Sequence, residues 1–368
     1  MRILIAANND GGLYKFRKEL IENLVNEHEV FISLPDGPYV TKLVEMGCVF
    51  EKFEFDRHGT NPIHEIQLIS NYSKLLRKVR PDIVFTYTIK PNIYCGLACA
   101  KLGIPYVSNI TGLGSAVENK GVLQIITTFL YRLGLRKAQK VFFQNTENQE
   151  FMVSRGIVNG SYDLLPGSGV NLNHFQLLEY PKADTIDFIF VARIMKEKGI
   201  DQYLDAAKYI RTHYPDTRFH VCGACEESYE ETLRKLQEDG VIIYHGLVDD
   251  MREIQKISAC TIHPSYYPEG LSNVLLESAA SGRPIITTDR AGCREAVRDG
   301  ENGYVVKQRD SADLISRIEQ FLSLSWEERR DMGRNGRELV EKSFDRRIVI
   351  EKYLSEVKKA GTNAKTNQ

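Results

Sequence analysis

Apolar residues along the chain follow two alternating periods. Short unbroken apolar runs of strand length are separated by stretches in which apolar residues recur every three or four positions. Residues 1–7 form one such run and predict a buried parallel strand. A polar, glycine-rich loop at 8–12 follows, then a helix from about Leu13 with Phe16, Leu20, Ile21 and Leu24 on one face. Residues 30–34 are the next strand, which makes a strand–helix–strand opening. The pattern continues with helices near 40–46, 63–79, 93–102, 122–137 and 147–155, and strands near 49–55, 83–87, 106–108 and 140–144. After a polar stretch at 177–185, a second series opens with a strand at 187–191. Strands at 219–222, 242–244, 260–262 and 285–287 follow, and helices at 310–323, 326–342 and 345–359 close the chain. Residues 361–368 read as a polar, disordered tail. Two doubly wound α/β domains are predicted, with ligands outside the carboxyl ends of the strands.

The chain has 368 residues, 42% hydrophobic and 26% charged, with a formal net charge of −1. That is ordinary globular material with no global field for nucleic acid or a membrane surface. The seven cysteines are odd in number and scattered, and no apolar run of 18 residues exists to span a membrane. A reducing cytoplasm is the expected setting. Cys222 and Cys225 form a C-x-x-C without a second pair or a histidine cluster at zinc spacing, so a strand entering a glycine loop is the better reading. The longest apolar stretch, 122–135, is interrupted by Arg132 and has the length of a core helix. Basic residues gather at Lys74, Arg77, Lys78 and Arg80 and at Arg132, Arg136, Lys137 and Lys140. A membrane-surface helix and an ordinary solvated face both produce such a pattern. The loop at 8–12 lacks G-x-G-x-x-G, which argues against a dinucleotide cofactor.

Residues 263–289 carry the most chemistry: H-P-S-Y-Y-P-E-G-L-S-N-V-L-L-E-S-A-A-S-G-R-P-I-I-T-T-D. They read as strand end, loop, helix, glycine stop and strand. Glu269 lies just before the helix and Glu277 about two turns in, roughly 12 Å along the axis. Between them the helix N-terminus is expected to offer free N–H groups from Gly270, Leu271 and Ser272 to an anion. Two isolated glutamates would read as a cap and a solvated helical residue. An anion site flanked by two hydroxyl-binding carboxylates suits a nucleotide-sugar.

The ordered run P-S-x-x-P-E-G-L-S-N-V-L-L-E-S-A-A-S-G-R-P-I-I-T-T-D closely resembles the donor-site signature of family 4 glycosyltransferases, the E-x7-E enzymes. The resemblance extends over nearly the whole chain and is strongest at 187–306. It implies the GT-B fold: two Rossmann-like doubly wound domains facing each other across a cleft. Their expected bounds are 1–176 for an acceptor-binding domain and 177–344 for a donor-binding domain, with a last helix, 345–360, crossing back onto the first. By the resemblance, Glu269 contacts the donor sugar and Glu277 the ribose. Ala192-Arg193 through Lys198-Gly199 resembles the family's G-R-x-x-x-x-K-G element, with Ala192 in place of the first glycine; Arg193 and Lys198 would neutralise the pyrophosphate. Leu247 and Val248 fall in the turn whose backbone meets the nucleobase, and Asn273 among the side chains that set donor choice. Gly11 and Gly12 resemble the family's first glycine-rich loop, which approaches the diphosphate. Residues 169–171 fall within a segment resembling the family's interdomain stretch and are expected to line the cleft.

On the acceptor side, Lys90 and Asn92 sit in a loop at the end of a strand. There a role toward an acceptor phosphate or hydroxyl and that of a solvated loop are equally open. The chain lacks the D-x-D of the metal-dependent transferase fold, so no metal and no cofactor are expected. The reaction implied is retaining transfer of a hexose or N-acetylhexosamine from a UDP-sugar to a hydroxyl of an undecaprenyl-diphosphate-linked saccharide, in bacterial capsule, lipopolysaccharide or other glycan synthesis. Partners would be the nucleotide-sugar and the lipid-linked saccharide, with peripheral contact at the inner face of the cell membrane. A GT-B nucleotide-sugar 2-epimerase and a non-catalytic transferase-like subunit are the alternatives.

Overall fold

The computed structural model describes residues 1–56, 62–118, 120–225 and 229–366. The chain divides into two compact units: Met1–Gly169 with Arg347–Gln368, and Val170–Arg346.

The first unit is built on β1 (Arg2–Ala6), β2 (Glu29–Leu34), β3 (Val49–Lys52), β4 (Ile83–Tyr87), β5 (Tyr106–Ile110), β6 (Lys140–Phe143) and β7 (Tyr162–Leu164). Their order is β3-β2-β1-β4-β5-β6-β7, and every pairing is parallel. The unbroken apolar runs follow from burial on both faces. From β1, Ile3 and Ile5 pack with Leu20, Leu24 and the C-terminal residues Val349, Tyr353 and Val357. Leu4 and Ala6 enter the opposite core with Tyr72, Leu76 and Cys95. The last helix is Arg346–Thr366, so a helix occupies most of the segment expected as a disordered tail.

The second unit contains β8 (Ile186–Val191), β9 (Thr217–Cys222), β10 (Ile243–Gly246), β11 (Cys260–His263), β12 (Ile285–Thr288) and β13 (Gly303–Val306), in the order β10-β9-β8-β11-β12-β13. All neighbours are again parallel. Phe188 and Phe190 join Tyr203, Leu204 and Ile286 in one core, and Ile285 joins Leu275, Leu276 and Val340 in the other. The strand order reverses between β8 and β11. The loops after these two strands therefore open at the topological switch point, where open α/β sheets bind ligands.

Four expectations change. The units divide at Gly169/Val170 rather than at residue 176. Val170, Leu172 and Phe175 pack with Leu271, Ala279 and Val340, which draws this stretch into the second unit. Residues 177–185 are no free linker. Tyr180 is buried and its hydroxyl donates to Ala259 O at 2.9 Å, while Trp326 Nε1 donates to Pro181 O at 2.8 Å. The fully buried Arg283 donates to Gln255 O and Glu179 O, and burial pulls its pKa down to about 10. β7 and β13, of three and four residues, add an edge strand to each sheet beyond those expected. The helix Val122–Leu135 is not a core helix on all sides: Val122, Ile125 and Phe129 are exposed.

Candidate active site

β8 ends at Val191, and the chain then turns through Ala192 and Arg193 into a short 3₁₀ turn, Lys196–Lys198. This stretch is stitched to the neighbouring strand ends. Ala192 N–H donates to Cys222 O and Ile194 N–H to Ala224 O, while Gly223 N–H reaches Gly246 O. The buried Ile194 anchors the loop between Arg193 and Lys198. Gly199 then adopts φ +79°, and the site of a Cβ on it is filled by the Pro264 carbonyl. That close approach brings the loop after β8 against the loop after β11, and Tyr266 N–H donates to Glu197 O at 2.9 Å.

At this junction Lys198 Nζ and Glu269 Oε1 form an ion pair, their side chains only 11% and 15% exposed. Both cations contact Tyr267: the Lys198 ammonium is 4.8 Å and the Arg193 guanidinium 5.4 Å from its ring centroid. His263 Nε2 stands 3.8 Å from Glu269 Oε1 and 3.4 Å from Ser272 Oγ. Burial alone would raise the Glu269 carboxyl pKa. Lys198 and then His263 more than offset this and hold the group far below the usual carboxylate range. Glu269 is therefore an ionised acceptor held in place by its cation.

The helix beyond it is Asn273–Ala280. Its open N-terminal end lies at Asn273–Leu275 rather than at the expected Gly270–Ser272. Ser272 N–H is not free, since it donates to Gly292 O at 2.7 Å. Ser272 is the N-cap and gives no side-chain cap. The first-turn N–H groups of Asn273, Val274 and Leu275 thus lack partners within the helix and form the positive end of its dipole. Leu271 puts its side chain into the core, and Gly270 is buried. Glu277 and Asn273 share the half-buried face one turn apart, away from Leu275, Leu276 and Ala279. Leu247 is 78% exposed at the carboxyl end of β10, with Val248 half-buried beside it.

In the first unit the structure departs further from the sequence reading. Gly11 and Gly12 are not in a loop: the helix Asp10–Val25 already contains both, and Gly12 N–H is capped by Asn9 Oδ1. Lys90 is ion-paired with Glu65, each 14% exposed, rather than projecting into solvent. Asn92 is fully buried in the π-helical turn Pro91–Cys95. Its Oδ1 accepts from Thr86 Oγ1 at 2.7 Å and its Nδ2 donates to Asn109 O at 2.9 Å. Both ends of that amide are spent, which takes Asn92 out of the acceptor set. Asn92→Ala is expected to cost about 2 kcal/mol in urea unfolding by orphaning buried partners, with turnover per folded molecule unchanged. Loss of turnover without loss of stability would return Asn92 to the site.

Cys222 and Cys225 are free thiols, and burial raises the Cys222 thiol to about 12. The far end of that loop, 226–228, lies outside the described residues. Among the described residues no group of three or more His, Cys, Asp or Glu side chains is placed to hold a metal ion. Sequence reasoning missed three contributors: His263, Tyr267 and Gly292. The first two stand within the quoted motif, where only the fold reveals their contacts. Gly292 is 23 residues beyond Glu269 with no spacing to betray it.

Comparison with known proteins bears on the fold and the family. Residues 176–339 match the family model for glycosyl transferases group 1, and residues 2–145 that for glycosyl transferase 4-like. Similar solved structures include a glycosyltransferase from Rickettsia africae (TM-score 0.81, 18% identity, 98% of this chain and 99% of that one). Another is Anabaena HepE in complex with UDP and glucose (TM-score 0.77, 16% identity, 97% and 99%). The fold is GT-B, and the protein is a glycosyltransferase. With one half matched by the group 1 model and the other by the 4-like model, the chain belongs to the glycosyltransferases of this type.

Among its relatives is the N,N'-diacetylbacillosaminyl-diphospho-undecaprenol alpha-1,3-N-acetylgalactosaminyltransferase of Campylobacter jejuni, 26% identical over 96% of this chain and 97% of that protein. The UDP-Gal:alpha-D-GlcNAc-diphosphoundecaprenol alpha-1,3-galactosyltransferase of Escherichia coli is 23% identical over 68% of each.

Proposed function

We propose that this glycosyltransferase moves a hexose or N-acetylhexosamine from a UDP-sugar to a hydroxyl of an undecaprenyl-diphosphate-linked saccharide, with retention at the anomeric carbon, in bacterial surface glycan synthesis. The observation that carries the reading is the Lys198–Glu269 ion pair at the switch point, with Arg193 and Lys198 both against the Tyr267 ring. The printed activities of the Campylobacter and Escherichia relatives, both acting on diphosphoundecaprenol-linked sugars, support the acceptor class. The UDP-Gal in the second name and the UDP in the HepE crystal support the donor. Nothing in this company favours the 2-epimerase or the non-catalytic subunit.

In this reading the donor diphosphate meets the first-turn N–H groups of Asn273–Leu275 together with Arg193 and Lys198. As the glycosidic bond breaks, negative charge grows on the departing phosphate. Fixed cations and amide dipoles stabilise that charge without reorganising, and one such donor is worth ~10²–10³ in rate. Charge neutralisation by side chains makes the reaction metal-independent. Glu269 aligns the sugar hydroxyls, and Glu277 binds the ribose on the face it shares with Asn273. Leu247 and Val248 line the nucleobase turn. The work takes place in the cytoplasm, at the inner face of the cell membrane.

The test is nucleotide release from UDP-, GDP- and ADP-sugars, with and without a short-chain prenyl-diphosphate sugar as acceptor. UDP release that requires both one donor and the acceptor is expected. Release that ignores the acceptor would move the protein to epimerase or hydrolase chemistry. Glu269→Ala should lower turnover by ~10² or more while changing UDP affinity little. Glu277→Ala should weaken UDP binding about tenfold by removing a charged hydrogen-bond acceptor. Equal effects of both on UDP affinity would overturn the division of roles.

A further inference from the structure

The helix Val122–Leu135 is apolar on two opposite faces. Its inward face, Thr127, Tyr131, Gly134 and Leu135, is buried. Tyr106 Oη donates to Gly134 O at 2.7 Å. A Cβ on Gly134 would run into the Ile93 backbone and one on Gly96 into the Gly134 carbonyl, so this face is seated closely and complete. The outward face should then be polar. Instead Val122 (73% exposed), Ile125 (68%), Ile126 and Phe129 (55%) form a stripe at spacings of three and four residues, with Leu123 exposed beside it. Arg136 continues the same stripe and Arg132 lies on its edge. Exposed Lys120 precedes the helix and exposed Lys137 ends it.

We propose that this stripe is a membrane-docking surface that enters the interfacial layer of an anionic phospholipid bilayer. The inference deepens the lipid-linked acceptor reading above and rests on it for its purpose: an acceptor anchored in a bilayer must be met at that bilayer.

Length, polarity and charge select the occupant. At 14 residues the helix is too short to span hydrocarbon, which takes about 20. Among the described residues no helix is long and apolar enough to cross a membrane. A helix with an apolar stripe and basic flanks lies in the interfacial plane, apolar side down, with its long cationic side chains reaching back to the headgroups. A second copy of this chain fits less well. The segment 118–137 carries Lys120, Arg132, Arg136 and Lys137 against the single carboxylate of Glu118. A symmetric pairing of two such stripes would bring both sets of cations around one dry interface. Anionic headgroups would neutralise them.

The test is flotation of the full-length protein with vesicles of phosphatidylcholine, with and without phosphatidylglycerol. Wild type should float with the phosphatidylglycerol vesicles, and added salt should reduce this binding without abolishing it. Ile125→Glu with Phe129→Glu should weaken binding about tenfold or more, with unchanged circular dichroism melting because neither side chain belongs to the core. Arg136→Gln with Lys137→Gln should remove the preference for anionic vesicles. Flotation of the double glutamate variant at the wild-type level would overturn the proposal. So would a wild type that ignores vesicles and sediments as a dimer that the variant disperses. Transfer to the short-chain soluble acceptor, run on the same proteins, separates the two readings. If it fails in wild type while vesicles still bind, the acceptor assignment falls and the docking surface stands.

Discussion

Lys198→Met is expected to destabilise the protein by about 3 kcal/mol at neutral pH and to lower kcat by ~10²–10³. The stability loss arises from what is left behind: Glu269, 15% exposed, keeps its burial and loses its cation. Adding Glu269→Gln should recover most of the stability and none of the activity. A double-mutant cycle isolates this coupling, because the two groups touch. The pH dependence has a definite sign. Glu269 is depressed in the folded wild type, so its contribution is fully present above the unfolded carboxylate range, near 4.3, and is lost as pH falls through the lower folded value. In Lys198→Met the largest remaining influence is burial, which raises the carboxyl, so the penalty is present at neutral pH and relieved as protons bind. The gap in urea stability between wild type and variant should therefore shrink from pH 7 toward pH 4.5. A gap that stays constant would mean that Lys198 acts through packing and not through Glu269.

Gly199→Ala is expected to be nearly as damaging without touching a charge. Gly199 has φ +79°, and a Cβ there meets the Pro264 carbonyl. The strained backbone and the clash together should cost about 3 kcal/mol. Pushing the Lys196–Lys198 turn off the Pro264 loop would break the Tyr266-to-Glu197 hydrogen bond and pull Lys198 away from Glu269. Turnover should fall by at least tenfold, since a displacement of about 1 Å at a catalytic constellation is expensive. Gly240→Ala is the control. Gly240 also has positive φ, at +69°, but a Cβ there meets nothing within 4 Å. It should lose only about 1 kcal/mol and no activity. Equal activity losses in the two variants would mean that backbone strain, rather than the contact with Pro264, is what matters.

Some features could be read from the chain because local order encodes them. Strands buried on both faces are predominantly apolar, so β1, β4 and β8 announce themselves. The residues after β8 and after β11 are contiguous with those strands, so Arg193, Lys198, Glu269 and Glu277 could be assigned to strand ends and a helix without coordinates. β7 is three residues long and mostly exposed, and it left no such trace. Asn92 shows the opposite failure. A polar residue in a strand-end loop looks available to a ligand, yet the π-helical turn rotates it inward, where Thr86 and Asn109 use its amide. Residues 177–185 look like a linker because they are polar. Buried Arg283 and half-buried Trp326, more than a hundred residues away, turn them into a packed strap.

The sequence by itself determined the architecture, the family and the chemical types at the site, because periodicity and an ordered motif are local properties of the chain. Tertiary structure alone decided which groups meet. It joined Lys198 to Glu269 across 71 residues of sequence. It spent the Ser272 N–H on Gly292 and moved the open helix end to Asn273. It also left one apolar face of the helix Val122–Leu135 turned to solvent. An apolar run records only that its residues avoid water, and the neighbours that cover or fail to cover it are set by the packing of segments distant along the chain.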